Sequence, residues 1–178
     1  GGEIVSCDSM QIYRGMDIGT AKPPAEDRLH VPHHMLDIAD PYDPQPYSCA
    51  AYVQDASRIV EEIAARGRIP VICGGTGLYL DGLLTGNRYA EAVRLPGFAE
   101  RMEERDNLSL WEQLRQNDPE AAAAIHPNNR RRTLRALEIL EATGKTKTAW
   151  DRASRRGLNP RYHLFAVGLD YPDRAALI

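Results

Sequence analysis

The chain is 178 residues long, 43% hydrophobic and 26% charged, with a formal net charge of −3. That length holds one full hydrophobic core, or one core with a smaller appended subdomain, and excludes two large domains. No apolar run approaches a membrane span, and so small a net charge argues against a protein that binds polyanions over its whole surface.

The charge is unevenly spread. Between Asn128 and Arg161 ten Arg or Lys face three acids, so this stretch carries +7 and the remainder −10. A local basic surface on an acidic protein is expected. The opening Gly-Gly-Glu-Ile-Val has no initiating Met, basic n-region or apolar h-region, which predicts a fragment and no signal peptide. Cys7, Cys49 and Cys73 are an odd number without metal-like spacing, a pattern that favours free thiols and a cytoplasmic location.

In chain order, Ile4-Val5-Ser6-Cys7 is short, β-branched and apolar and stops at Asp8, as a buried strand does when it delivers a polar residue at its carboxyl end. Residues 10–45 are rich in Gly and Pro and read as ordered loop. Ser48 caps a helix whose apolar positions Tyr52, Val53, Ala56, Ile59, Val60 and Ile63 follow the 3.6-residue period, and Gly67 closes it. Residues 68–73 form a second buried strand, with Pro70 tolerable only at its first positions. It breaks at Gly74-Gly75-Thr76-Gly77, and Leu78 to Leu84 starts another helix. Beyond Gly86 a charged, Ala-rich, mostly helical stretch runs to about Arg156. Tyr162 to Leu169 reads as a third strand and Asp173 as a helix start. The order predicts a parallel α/β sheet with a helical insertion: core over 1–86, insertion over 87–160, and return to the core over 161–178.

In an open parallel sheet, ligands sit outside the carboxyl ends of the strands, where helix N-termini point unpaired N–H groups. Asp8 and Thr76 both fall there. The glycines around Thr76 suit either close approach of an anion or a plain tight βα turn. Asp8 likewise fits either a turn cap or a functional carboxylate, and its neighbours Ser9, Gln11, Thr20 and Lys22 supply more hydrogen-bonding groups than a turn needs.

Gly144-Lys145-Thr146 imitates the end of a phosphate-binding loop, but that motif needs Gly at position 139, which is Ile. It is read as a helix C-cap and a new helix start. His30, His33 and His34, with Asp37 nearby, have a faint metal-site look. Without a second ligand cluster they read as loop hydrogen-bonding groups, so no metal ligand is assigned. Arg130 to Arg135 opens a helix with Leu134, Leu137 and Leu140 on its apolar side. Arg131 and Arg135, four apart, read as one exposed face that either receives a phosphate or is solvated and partly paired with Glu138.

Five segments together resemble the tRNA dimethylallyltransferases, also called tRNA isopentenyltransferases: "DSMQIYRGMDIGTAKP" (8–23), "VPHHMLDI" (31–38), "YSCAAYVQDA" (47–56), "GRIPVICGGTGLYLDGLL" (67–84) and "AAAAIHPNNRRRTLRALEILEATGK" (121–145). They follow the family's order across nearly the whole chain. The resemblance implies a P-loop NTPase-like sheet with a helical insertion. It also implies transfer of a dimethylallyl group from dimethylallyl diphosphate to the exocyclic amine of the adenine 3′ of the anticodon in tRNA.

In this family's pattern Asp8 is the general base and Thr76 lies by the diphosphate end of the donor, both catalytic. Ser9, Met10 and Gln11, with Asp8, line the adenine pocket. Arg131, Arg132, Thr133, Leu134 and Arg135 contact tRNA. The implied partners are a tRNA anticodon stem-loop and dimethylallyl diphosphate, with Mg²⁺ as cofactor and a monomeric protein.

Two departures accompany this. The family's GxxxxGK[ST] loop for the diphosphate and Mg²⁺ is absent, so a strand–loop–helix unit of roughly 30 residues is expected before Gly1, and a C-terminal portion after Ile178. The fragment alone is therefore expected to be inactive. Ala99 stands where a tRNA-contacting Arg is expected, with Arg101 as a compensating candidate. The other readings are a P-loop-type kinase of a small metabolite and a catalytically silent RNA-binding module.

Overall fold

The computed structural model describes residues 1–85, 94–154, 159 and 161–170. In chain order its elements are β1 (Gly2–Ser6), α1 (Ala25–His30), β2 (His33–His34), α2 (Cys49–Ala65), β3 (Ile69–Cys73), α3 (Gly77–Thr85), α4 (Phe98–Arg101), α5 (Asn107–Asn117), α6 (Pro119–Ala123), α7 (Arg130–Thr143) and α8 (Lys147–Ser154).

The strands make one parallel sheet in the order β2-β1-β3. Ile4 of β1 lies opposite His33 on one side and Val71 on the other. Parallel strands need crossover connections, and α2 supplies the one between β2 and β3. Ser48 starts α2 by accepting from the Ala51 N–H at 3.1 Å. Tyr52, Ala56, Val60 and Ile63 form its buried stripe, and Gly67 ends the turn with φ +69°.

The same stripe covers the sheet. The Tyr52 ring stacks on Tyr79 of α3 with centroids 4.1 Å apart, and its hydroxyl donates to the Ser6 carbonyl at 3.0 Å. Burial pushes both phenols up, Tyr79 to about 12. Val5, Cys7, Ile12 and Leu83 complete this core. Pro70 sits in β3, whose only ladder among the described residues is to β1, so its missing N–H costs no pairing.

A second core gathers Phe98, Leu110, Leu114, Ala122, Ala136 and Leu137 from the helical stretch. Three helices there start on a side-chain cap: Asp106 for α5, Asp118 for α6 and Asn129 for α7. Gly144 closes α7 with φ +68°, and Thr146 then accepts from the Ala149 N–H at 3.1 Å, so the Gly-Lys-Thr run is a cap and a restart. Buried Asp118 does double duty: besides the Ala121 N–H it accepts from the Thr148 N–H at 2.9 Å and hydroxyl at 2.6 Å, fastening α8 to α6. Burial alone would raise its carboxyl, but the Thr148 hydroxyl and the two backbone N–H groups hold it below the usual carboxylate range. Among the described residues no helix is long and apolar enough to cross a membrane.

Four expectations change. The second strand is not buried: Ile69 and Val71 of β3 are exposed, because β3 lies at the edge of the sheet formed by the described residues. Residues 10–45 are not all loop, since they contain α1 and the two-residue β2, too short to leave a periodic signature. Tyr162 to Leu169 is not a strand: it has no regular structure, and Phe165 and Leu169 are 90% and 92% exposed. β-Branched and aromatic residues make a strand only beside a hydrogen-bonding partner, and no described residue offers this segment one. The helix expected from Asp173 lies outside the described residues.

Candidate functional site

The site grows from the carboxyl ends of β1 and β3. The two strands run so close that the Cys7 N–H donates to the Cys73 carbonyl at 2.7 Å and the Thr76 N–H to the Cys7 carbonyl at 3.0 Å. Between these bonds lies Gly74, with φ +153°; a Cβ there would fall 2.4 Å from the Cys7 carbonyl carbon and oxygen. The first glycine of the GGTG run is therefore demanded by strand contact. At Gly75 and Gly77 a Cβ would meet nothing within 4 Å.

Beyond Cys7 the chain turns. The Asp8 carboxylate accepts through Oδ1 from the N–H groups of Met10 at 2.7 Å and Gln11 at 3.2 Å, which fixes the turn and leaves Oδ2 without a hydrogen-bond partner among the described residues. Ser9 is latched to α3: its N–H donates to Thr76 Oγ1 at 2.9 Å, and the Thr76 hydroxyl donates to Ser9 Oγ at 3.3 Å. Asp8, Ser9, Met10 and Thr76 thus come together as expected from sequence, with Asp8, Ser9 and Thr76 half-buried and Met10 exposed. Burial, aided by the Asp8 charge, pushes the adjacent Cys7 thiol up and keeps it inert.

Gln11 differs from its expected place among pocket-lining groups. Its amide Nε2 donates to the carbonyls of Thr20 at 2.9 Å and Ala21 at 3.2 Å, and its Oε1 accepts from the hydroxyl of buried Ser6 at 2.9 Å. Both amide hydrogens and the oxygen are engaged within the fold.

The loop that Gln11 clasps is itself pinned by Lys22, whose ammonium is fully buried and bonds Asp37 at 2.7 Å, Asp17 at 2.8 Å and the Tyr13 carbonyl at 2.7 Å. Burial works to lower the Lys22 pKa, and the bonds to Asp17 and Asp37 overcome it and raise it. Arg28 reaches the other Asp37 oxygen at 2.8 Å.

The histidine group dissolves into separate partners: His33 Nδ1 lies 2.7 Å from the Val31 carbonyl and His34 Nε2 2.7 Å from Glu3, a buried acid also held by Arg66. His34 and Arg66 lower the Glu3 carboxyl against its burial. Among the described residues no three His, Cys, Asp or Glu converge as a metal ion requires.

The basic helix α7 sorts its arginines by task. Arg130 turns inward as a clamp, donating to the carbonyls of Met102 at 2.5 Å and Arg105 at 2.7 Å. Arg131 and Arg132 are exposed and enter no ion pair among the described residues. Arg135 does not share their open face: it is half-buried and donates to Glu138 at 2.7 Å. Glu138, 5% exposed, also accepts from Arg94 at 3.2 Å and the Leu95 N–H at 3.0 Å. Thr133 is 0% exposed and Leu134 packs against the second core, so neither side chain stands on the surface presented by Arg131 and Arg132. The helical period turns the side chains of positions 133 and 134 inward within the run 131–135. Arg101 is also committed, bonding Glu141 at 2.5 Å.

Sequence reasoning left Ser6 and Asp118 unassigned and named Glu138 only as a partial partner of the basic face. A lone Ser inside an apolar strand, or an acid inside a basic helix, was the available signal.

Comparison with known proteins gives this geometry its context. A relative from Bacillus subtilis (strain 168), named tRNA dimethylallyltransferase, is 47% identical over 171 residues, covering 94% of this chain and 53% of its own length. One of the same name from Thermoanaerobacter sp. (strain X514) is 42% identical over 180 residues, covering 99% of this chain and 56% of the relative. The chain thus spans about half the length of the curated relatives it matches. Among solved structures, a eukaryotic dimethylallyltransferase captured in crystallographic snapshots of its action on tRNA superposes with a TM-score of 0.72 at 31% identity, covering 88% of this chain and 39% of that one. That likeness supports the P-loop NTPase-like fold class. Residues 11–178 match the family described as IPP transferase, and with that match beside these relatives, the chain belongs to the IPP transferase family.

Proposed function

We propose that the protein containing this chain prenylates tRNA, moving a dimethylallyl group from dimethylallyl diphosphate to the exocyclic amine of the adenine 3′ of the anticodon. The observation that carries the reading is the divided Asp8 carboxylate, with Oδ1 held by two backbone N–H groups and Oδ2 left over, one residue before Ser9 latches to Thr76. An aromatic amine is a weak nucleophile. A fixed carboxylate orients it and takes its proton as nitrogen bonds the allylic carbon, while the carbon–oxygen bond to diphosphate breaks and diphosphate leaves. Oδ2 is the oxygen available for that proton.

Thr76 positions the Asp8 turn through Ser9 and sits at the start of α3, where the helix dipole favours the negative leaving group. Ser9 and Met10 border the place for the acceptor base, which must leave its stack to reach Asp8. Arg131 and Arg132 are the tRNA phosphate contacts, supplied by a helical subdomain over 87–160 beside a core over 1–86 that resumes at 161. The described residues do not form a Mg²⁺ cradle, and no step here runs through the ion. The reading includes a monomer in the cytoplasm, in keeping with three free cysteines.

The test is Asp8→Asn in the whole protein, assayed with an anticodon stem-loop and dimethylallyl diphosphate. Turnover should fall by about 10²–10⁴-fold, with stem-loop affinity nearly kept. A kinase would phosphorylate a small metabolite and ignore the stem-loop, and a silent RNA-binding module would have no turnover to lose.

A further inference from the structure

We propose that Gln11 is a positioning residue for the Asp8 carboxylate and does not read the acceptor base. The inference rests on the reading of Asp8 as general base. Its first support is prior engagement of the side chain. Gln11 donates to the Thr20 and Ala21 carbonyls and accepts from the Ser6 hydroxyl. Only the second lone pair of Oε1 is left, so the side chain has no donor to offer a base.

The second support is connectivity. The Gln11 N–H is one of the two that hold Asp8 Oδ1, so the residue whose side chain is anchored is the residue that orients the carboxylate. Ser6 closes the circuit from behind. It is 4% exposed, its hydroxyl donates to Gln11, and its carbonyl accepts from the Tyr52 hydroxyl at 3.0 Å. The clasp therefore runs from the core through Ser6 and Gln11 to the Asp8 turn on one side and the Thr20–Ala21 bend on the other. Ala21 holds φ +51°, a conformation that an alanine adopts only when its surroundings impose it. The two Gln11 N–H donations meet the bend at that residue. Which carboxylate oxygen stays open is set by this clasp, and a small shift of a general base is costly for rate.

The experiment uses the whole protein with three variants. Gln11→Glu keeps the size but sets a carboxylate against two carbonyls, and Ser6→Ala removes the rear anchor from a place no substrate reaches. Asp8→Asn is the control for the underlying reading. We expect Gln11→Glu to lower kcat by about 10–100-fold with the stem-loop KM within about twofold, and Ser6→Ala to give a smaller kcat loss of the same kind. Binding preference for a stem-loop with adenine over one with guanine at the acceptor position should be unchanged in both.

A loss of that preference in Gln11→Glu with kcat kept, or Ser6→Ala at the original kcat, overturns the proposal while leaving Asp8 in place. Full turnover in Asp8→Asn overturns the reading beneath it. If Gln11→Glu does not fold, as circular dichroism reports, the Ser6→Ala result decides.

Discussion

Gly74→Ala tests the closest contact in the sheet. The new Cβ would stand 2.4 Å from the carbonyl carbon and oxygen of Cys7 and 2.9 Å from its Cα, all backbone atoms just beyond the end of β1. Relief to an ordinary carbon contact needs about 1 Å of strand separation. The bonds on either side, Cys7 N–H to Cys73 at 2.7 Å and Thr76 N–H to Cys7 at 3.0 Å, would then pass out of hydrogen-bonding range.

Losing both costs about 2 kcal/mol, and holding a non-glycine residue at this backbone angle about 1–3 kcal/mol more. The expected destabilisation is about 3–5 kcal/mol, or about 5–15 °C in melting temperature. Turnover should fall as well, because the Thr76–Ser9 latch hangs from the displaced backbone. Thermal melts of the whole protein followed by circular dichroism measure the first effect, and single-turnover prenylation of a stem-loop the second. Gly75→Ala is the control: its Cβ meets nothing within 4 Å, and stability should stay within about 0.5 kcal/mol. A Gly74→Ala protein as stable as its Gly75→Ala counterpart would refute the contact argument.

Asp118→Ala should cost about 1–3 kcal/mol by orphaning the α6 start and releasing Thr148. Because the fold depresses the Asp118 carboxyl below 3.8, its stabilisation is fully present above that pH and fades as pH falls through the lower folded value. Urea melts of variant and parent should therefore converge in acid; a gap that widens there refutes the assignment. Thr133→Val should leave stability unchanged or raise it by about 1 kcal/mol, since the Thr133 hydroxyl is buried without a hydrogen-bond partner, and a measured loss above that would reveal a partner. Reversing charge at Arg131 and Arg132 should weaken stem-loop binding and flatten its dependence on salt, read from titrations at several ionic strengths. Arg135→Gln, which disturbs an ion pair with Glu138, should change stability more than the salt slope.

What the sequence disclosed follows from which signals are local. The α2 stripe, the Ser48 cap and the Gly67 stop are written within one helix, and all were legible. The placing of the Asp8–Ser9 turn and Thr76 at one edge was legible because strand ends in a parallel sheet share that edge. β2 was not legible, since two histidines carry no periodicity and pair only because β1 lies alongside. The strand expected over 162–169 failed for the converse reason, as apolar alternation without a neighbour gives no ladder. Within the site, composition identified polar residues but not their direction. Gln11 and Arg135 look available in the sequence and are occupied in the structure, by Ser6 and the Thr20–Ala21 bend in one case and Glu138 in the other.

The Ser9–Thr76 latch joins residues 67 positions apart, whereas the bonds that shape α5 to α8 span far shorter separations. Closing so long a loop carries an entropy cost that no contact offsets until β1 and β3 pair. On a growing chain β1 emerges with its Asp8 turn and waits for β3 before Ser9 can latch to Thr76. The proposed chemistry therefore depends on the less local of the two strand pairings, and a refolding protein should regain helical signal before it regains turnover.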